Sequence, residues 1–162
     1  MATVYVSVGS NIERDKYIQA GIDALKKHFG SLICSPVYES ESVGFSGDNF
    51  YNLVVSFETG ESYQSVDVIL SNIEDANQRD RSLPKFSSRT LDLDLLLYDD
   101  LVLNTPELTL PRPEVYKNAF VLQPLADIAA SVIDPNSKQT FAQLWAQFDR
   151  NQQKLWQVEL KI

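Results

Sequence analysis

Apolar and polar positions change period several times along the chain, and each change marks an element. Residues 3–8 (Thr-Val-Tyr-Val-Ser-Val) alternate and are rich in β-branched side chains, which predicts a strand ended by the turn Gly9-Ser10-Asn11. Tyr17, Ile18, Ile22, Leu25 and Phe29 then recur at three- and four-residue spacings. That is the stripe of an amphipathic helix over 15–29, capped by Asn11 or Asp15 and stopped by Gly30. His28 falls in its last turn, where the helix dipole favours it as a solvated residue. Strands are predicted at 32–38 and 50–57, separated by a polar loop over 39–49 that contains Gly44 and Gly47. Val66, Ile69, Leu70 and Ile73 mark a second helix over 64–77. A loop with Pro84 and three serines fills 79–88.

The period of two returns from Thr90 to Leu95, so that Asp92 and Asp94 share one strand face and Leu91, Leu93 and Leu95 the other. The run Leu95-Leu96-Leu97 places the second half of this strand in a core. Asp99-Asp100 is a turn, and 101–104 a short strand expected to pair with the aspartate strand as a hairpin. Prolines keep 108–113 extended. A helix is expected over 114–122, a turn at 134–136, a helix over 141–148, and weak alternation from 153 to the end. The order strand, helix, strand, strand, helix, strand predicts an α+β fold with a ferredoxin-like split βαβ core. Its antiparallel sheet would carry helices on one face and leave the other to a ligand, with extra strands and helices beyond residue 100. No linker or repeat divides the chain, so 1–162 reads as one domain.

Charge narrows the function. A formal net charge of −8 argues against a nucleic-acid partner. Phosphates are still provided for, because Arg79, Arg81, Lys85 and Arg89 fall just before the aspartate pair. The single histidine leaves no material for a histidine-based metal site, and the single cysteine, Cys34, permits a reducing compartment. Neither a signal segment nor an 18-residue apolar run is present, which predicts a cytoplasmic protein with no membrane partner.

Two carboxylates about 7 Å apart on one strand face repel each other and disfavour the strand unless something positive compensates. Oxygen ligands alone suit Mg²⁺, which takes one or two carboxylates and leaves its other positions to water and phosphate. Arg89, just upstream, is placed to meet a phosphate on the same metal. Asn52 lies among apolar neighbours in its predicted strand, so its amide must be satisfied by a loop backbone or by a ligand.

Several of these segments together resemble the 6-hydroxymethyl-7,8-dihydropterin pyrophosphokinase family. They are Val8-Gly9-Ser10-Asn11, Tyr51-Asn52, Glu74 with Arg79 and Arg81, and Arg89-Thr90-Leu91-Asp92-Leu93-Asp94. Leu110-Pro111-Arg112-Pro113 and the run 119–125 complete the set. The resemblance implies transfer of diphosphate from ATP to the hydroxymethyl group of a reduced pterin, giving AMP, with two Mg²⁺ held by Asp92 and Asp94. By the same resemblance, Arg79, Arg81 and Arg89 hold the triphosphate and its developing charge. Glu74, Thr109 and Arg112 fall with Arg81 and Arg89 at the ATP site. Val43, Gly44, Phe50, Asn52, Phe86 and Phe120 fall at the pterin. The implied partners are small molecules, acting on a monomer with a homodimer as the alternative.

The sequence departs from the family pattern at several of these positions. Phe86-Ser87 replaces a larger aromatic followed by glycine, Arg112 replaces a histidine, Asn118 an arginine, and Phe50 a tyrosine. A related transferase with another hydroxyl acceptor, or a binding module that does not turn over, are the alternatives. Paired acids on such a sheet would also serve a nucleotidyl transferase or cyclase.

Overall fold

A computed structural model of the chain describes residues 1–41, 47–78 and 89–162. Its first half contains β1 (Ala2–Ser10), α1 (Arg14–Phe29), β2 (Ile33–Cys34), β3 (Val37–Ser40), β4 (Phe50–Thr59) and α2 (Tyr63–Ala76). Then come β5 (Asp92–Tyr98), β6 (Leu103–Asn104), β7 (Thr109–Leu110), α3 (Glu114–Lys117), α4 (Ala119–Ala129), α5 (Phe141–Gln147) and β8 (Leu155–Val158). The main sheet runs β5-β1-β4-β3-β8, with β2 pairing farther along β4, and every pairing is antiparallel.

The alternation in β1, β4 and β5 gives the sheet two faces. On one, Val4, Val6, Val8, Leu53, Val55, Leu93 and Leu95 pack against Ile18, Ile22 and Leu25 of α1 and Val66, Leu70 and Ile73 of α2. This is the helix layer of the split βαβ core. On the other, Tyr5, Val54, Leu96 and Leu97 meet Val121, Leu122, Leu125 and Ala129 of α4 and Phe141 of α5. The second face is therefore half covered rather than free. A register shift between Tyr5 and Val6 makes this possible: Val6 faces Leu95 and Tyr5 faces Leu97, so Leu96 is the extra residue of a bulge. Both Leu96 and Leu97 thereby reach the α4 core, and the half of the face that no described helix covers is left to Asp92 and Asp94.

Other differences from the sequence expectation have local causes. The strand expected over 32–38 breaks at Ser35-Pro36, where Ser35 exchanges hydrogen bonds of 2.9 Å with Val54 through its own N–H and hydroxyl. The expected loop from 39 begins later, because β3 continues through Ser40 opposite Phe50. The strand after the Asp99 turn pairs with β7 instead of β5. Thr3 keeps Asp99 on β1 by hydrogen bonds of 2.7 and 2.9 Å, so the chain leaves the sheet there. The helix expected over 114–122 is two helices, broken at Asn118, whose backbone is extended. The second continues through Pro124 to Ala129.

Neither expected cap starts α1, whose N-terminal flank is Glu13 without a side-chain cap bond. Asn11 is used elsewhere. Buried at 2% exposure, it donates its amide to the Asp48 carbonyl at 3.1 Å and accepts the Arg89 N–H at 2.6 Å. It thus ties the chain on either side of β1 to one turn. Asn11→Ala is expected to destabilise the protein by about 2 kcal/mol, since both partners lose a part-buried hydrogen bond. Urea unfolding checks this: a loss below 0.5 kcal/mol, on the order of noise for a surface change, would mean the tie is dispensable.

Candidate active site

Strand register builds the site. Asp92 lies opposite Gly9, Gly9 opposite Asn52, Asn52 opposite Tyr38, and Tyr38 opposite Gln157. Directly opposed residues share a face, so this rung carries Asp92, Asn52 and Tyr38 on the same side of the sheet. The next rung places Asp94 opposite Ser7 and Ser7 opposite Val54. Gly9 is needed where it stands. A Cβ on it would lie 2.6 Å from Asn52 Oδ1, so the Asn52 amide lies over β1 toward the aspartates. Asn52 is buried, and among the described residues its Nδ2 has no hydrogen-bond partner. Of the two alternatives posed by the sequence, no loop backbone among the described residues satisfies that donor.

Tyr38 is the residue that sequence reasoning missed here. Its hydroxyl donates a short hydrogen bond to Asp127 of α4, and Gln123 also bonds to it. Burial, and then Asp127, raise its pKa well above the ordinary tyrosine value. Phe120, Gln123 and Asp127 stand three and four residues apart, one stripe of α4. The clasp on Tyr38 therefore turns the half-buried Phe120 toward the same part of the sheet as Asn52. No local pattern reveals Tyr38; only its register opposite Asn52 does.

At the aspartates, Arg112 Nη2 lies 3.3 Å from Asp94 Oδ1, while its Nε donates a short hydrogen bond to Glu114. Its backbone N–H bonds to the Leu96 carbonyl at 2.9 Å, which anchors the arginine beside β5. Burial, then the charge of Asp92, pushes the Asp94 carboxyl up to about 8 against the partial relief from Arg112. Glu74 and Glu114 push the same way more weakly. Glu74 is buried in α2 and accepts the Leu93 N–H at 2.8 Å, closing the outer edge of β5 behind the pair.

Among the described residues, no group of three or more His, Cys, Asp or Glu side chains is placed to share a metal ion. Two carboxylates with the remaining positions left to water and phosphate fit Mg²⁺. Thr109, half-buried on β7, and Arg112 follow each other along the segment that borders β5. Arg89 is held through its backbone by Asn11, and Phe50 opens β4 opposite Ser40. Asn118 accepts a 3.3 Å hydrogen bond from Gln153, whose side chain also accepts the Ala119 N–H at 2.7 Å. Asn118 thus fastens the C-terminal segment to the α3–α4 junction. Val43, Gly44, Arg79, Arg81 and Phe86 lie outside the described residues.

Comparison with known proteins identifies the family. The sequence profile of the 7,8-dihydro-6-hydroxymethylpterin-pyrophosphokinase (HPPK) family matches residues 5–130. The 2-amino-4-hydroxy-6-hydroxymethyldihydropteridine pyrophosphokinase of Aquifex aeolicus is 36% identical over 138 residues, covering 83% of this chain and 85% of that protein. Its namesake from Pseudomonas aeruginosa is 35% identical over 139 residues, covering 83% and 85%. Among solved structures, wild-type Plasmodium falciparum HPPK-DHPS superposes with a TM-score of 0.71 at 13% identity, which speaks to fold alone. That match takes in 90% of this chain and 44% of the Plasmodium chain, so the present chain spans under half of the longer protein. With the family profile covering most of its length and both pyrophosphokinases matched over most of theirs, the chain belongs to the 7,8-dihydro-6-hydroxymethylpterin-pyrophosphokinase family.

Proposed function

We propose that Asp92 and Asp94 hold two Mg²⁺ ions for the reaction that this family performs, transfer of diphosphate from ATP to 6-hydroxymethyl-7,8-dihydropterin in folate biosynthesis. The chain is an ATP-dependent pyrophosphokinase of that family. The observation that carries the site assignment is the Asp92–Gly9–Asn52 rung. It sets the backbones of Asp92 and Asn52 two strand spacings apart, about 10 Å, on one face of the sheet, with the Asn52 amide reaching across Gly9 toward the acids.

Each end of that stretch has the chemistry for one substrate. Asn52 has a donor without a partner among the described residues, suited to the polar edge of a pterin, and Phe120 supplies a ring for its flat face. At the other end, Arg89, Arg112 and Thr109 border the strand that carries the acids and take the triphosphate. Glu74 sets the edge of that strand behind them. Bound Mg²⁺ neutralises phosphate oxygens and makes the acceptor hydroxyl easier to ionise. What remains for the protein is positioning and charge balance, the main demands of phosphoryl-type transfer. Arg79 and Arg81 are assigned to the triphosphate, and Val43, Gly44, Phe50 and Phe86 to the pterin. With Asn118 engaged by Gln153, the arginine that commonly stands there has no replacement at that position, and Arg112 brings a permanent charge instead of a histidine.

The substrates are small soluble molecules. The reading accordingly places the reaction in the cytoplasm, carried out by a monomer without nucleic-acid or membrane partners. No helix among the described residues is long and apolar enough to cross a membrane.

The deciding experiment is AMP release from ATP and Mg²⁺, with and without 6-hydroxymethyl-7,8-dihydropterin. Pterin-dependent AMP is the expected result. Thermal stabilisation by the pterin without any AMP would instead make this a binding module. Neither response would mean that another hydroxyl compound is the acceptor.

A further inference from the structure

We infer that Arg112 is the resident counter-ion of the aspartate pair, a built-in cation that a divalent metal must displace from Asp94. The inference rests on the proposal that Asp92 and Asp94 are the metal-holding acids. Three observations carry it. Arg112 reaches Asp94 at 3.3 Å from the segment that borders β5, where its own N–H bonds to the Leu96 carbonyl. It is held between two carboxylates, with Nη2 toward Asp94 and Nε toward Glu114. All three side chains keep about 30% of their surface exposed, so the guanidinium can leave Asp94 without opening the core.

The chemistry follows from charge. Asp92 and Asp94 stand two residues apart on one face, and Glu74 adds a third carboxyl behind them. A metal-free protein with the pair ionised needs a positive group there, and among the described residues Arg112 is paired with Asp94. A metal ion arriving at Asp94 meets that guanidinium. Glu114 gives it a second carboxylate, so giving up Asp94 does not leave the arginine unpaired. Once displaced, Arg112 remains beside the acids with donors turned toward whatever anion accompanies the metal. Metal alone would therefore bind weakly and metal with triphosphate better, because the anion repays the displaced arginine. A histidine at this position, largely neutral at pH 8, would impose little of this competition.

The test is Mn²⁺ binding to nucleotide-free protein, read from the free-ion electron paramagnetic resonance signal at pH 8. A unit charge about 5 Å from a divalent ion weakens binding about tenfold even under water-like screening. Arg112→Gln is therefore expected to bind Mn²⁺ about tenfold more tightly than wild type, and Arg112→His nearly as much. Glu114→Gln should move the other way, because it strips the arginine of its alternative partner. A role in packing alone gives no reason for opposite shifts. The metal-free Arg112→Gln protein should also melt lower than wild type at pH 8 and recover on adding Mg²⁺.

Unchanged Mn²⁺ affinity in both Arg112 variants would overturn the counter-ion role while leaving the metal site standing. Wild-type Mn²⁺ affinity that survives in Asp92→Asn and Asp94→Asn would remove the acid-pair reading itself, and this inference with it. Circular dichroism on each variant separates these outcomes from misfolding.

Discussion

Asp94→Asn is expected to cut pterin-dependent AMP formation about a thousandfold or more, while raising the melting temperature of the metal-free protein at pH 8. The first effect corresponds to about 4 kcal/mol of transition-state stabilisation, within what loss of a metal-bearing carboxylate removes. The second follows from the sign of the Asp94 titration. Burial and the neighbouring Asp92 hold its proton more tightly in the folded protein, at about 8 against an ordinary value of 3.8. The folded state therefore binds a proton that the unfolded chain has already released. The stability that proton confers is fully present below the unfolded value and is lost as pH rises through about 8. Wild type should accordingly weaken between pH 4 and 8, and Asp94→Asn should weaken less.

The variant also loses the Arg112 ion pair, but Arg112 keeps Glu114. That pair only partly offset the larger penalties of burial and Asp92. Thermal melts across that pH range in chelator, together with an AMP assay, check both parts. Turnover within tenfold of wild type would end the carboxylate assignment. A lower melting temperature at pH 8 would show that the arginine pair outweighs burial and repulsion.

The same expected opposition between activity and stability is what made the acid pair stand out in the sequence. Asp92 and Asp94 interrupt an apolar alternating run in which nothing about folding calls for them, so they stand out against a strand whose leucines are fully accounted for by the core. The same logic exposed the helix stripes of α1 and α2 and the strands β1, β4 and β5, since local periodicity is set by which face is buried. It could not expose what depends on register between distant segments. Tyr38, Asn52, Gly9 and Asp92 lie on four strands, and no local pattern states that they form one rung. The bulge at Leu96 was hidden for a related reason. Three consecutive leucines announce burial, but their division between two cores is decided by α4, some 25 residues later. Asn11 looked like a helix cap because asparagine before a helix usually is one. A tertiary partner on each side, Asp48 and Arg89, won its side chain instead. The helix expected to end at 122 likewise runs on through Pro124, because α4 buries enough apolar surface to carry it.

The close approach at Gly9 yields the second large effect. Gly9→Ala is expected to weaken pterin binding about a hundredfold and to leave ATP binding within threefold of wild type. The new Cβ would sit 2.6 Å from Asn52 Oδ1, so the amide must swing away or β1 and β4 must part. β1 is the middle strand between β4 and β5, with pairing along its whole length to β4, which makes the side chain the part that yields. Moving the amide removes the donor assigned to the pterin edge and leaves the ligand's polar group buried without a partner, worth about 2–3 kcal/mol. Overpacking alone should lower stability by about 1–3 kcal/mol.

A double-mutant cycle separates the two losses. Asn52→Gly vacates the space that the new Cβ requires, so Gly9→Ala/Asn52→Gly should recover most of the stability lost in Gly9→Ala and none of the pterin affinity. Calorimetric titration with the pterin and urea melts on all four proteins provide the readout. Wild-type pterin affinity in Gly9→Ala would mean that recognition does not depend on the amide lying over β1. Stability losses that simply add would mean that the two residues do not press on each other. Stability recovered in the double variant while binding stays lost is the result expected if one glycine both permits the sheet's closest approach and holds the ligand-reading amide in place.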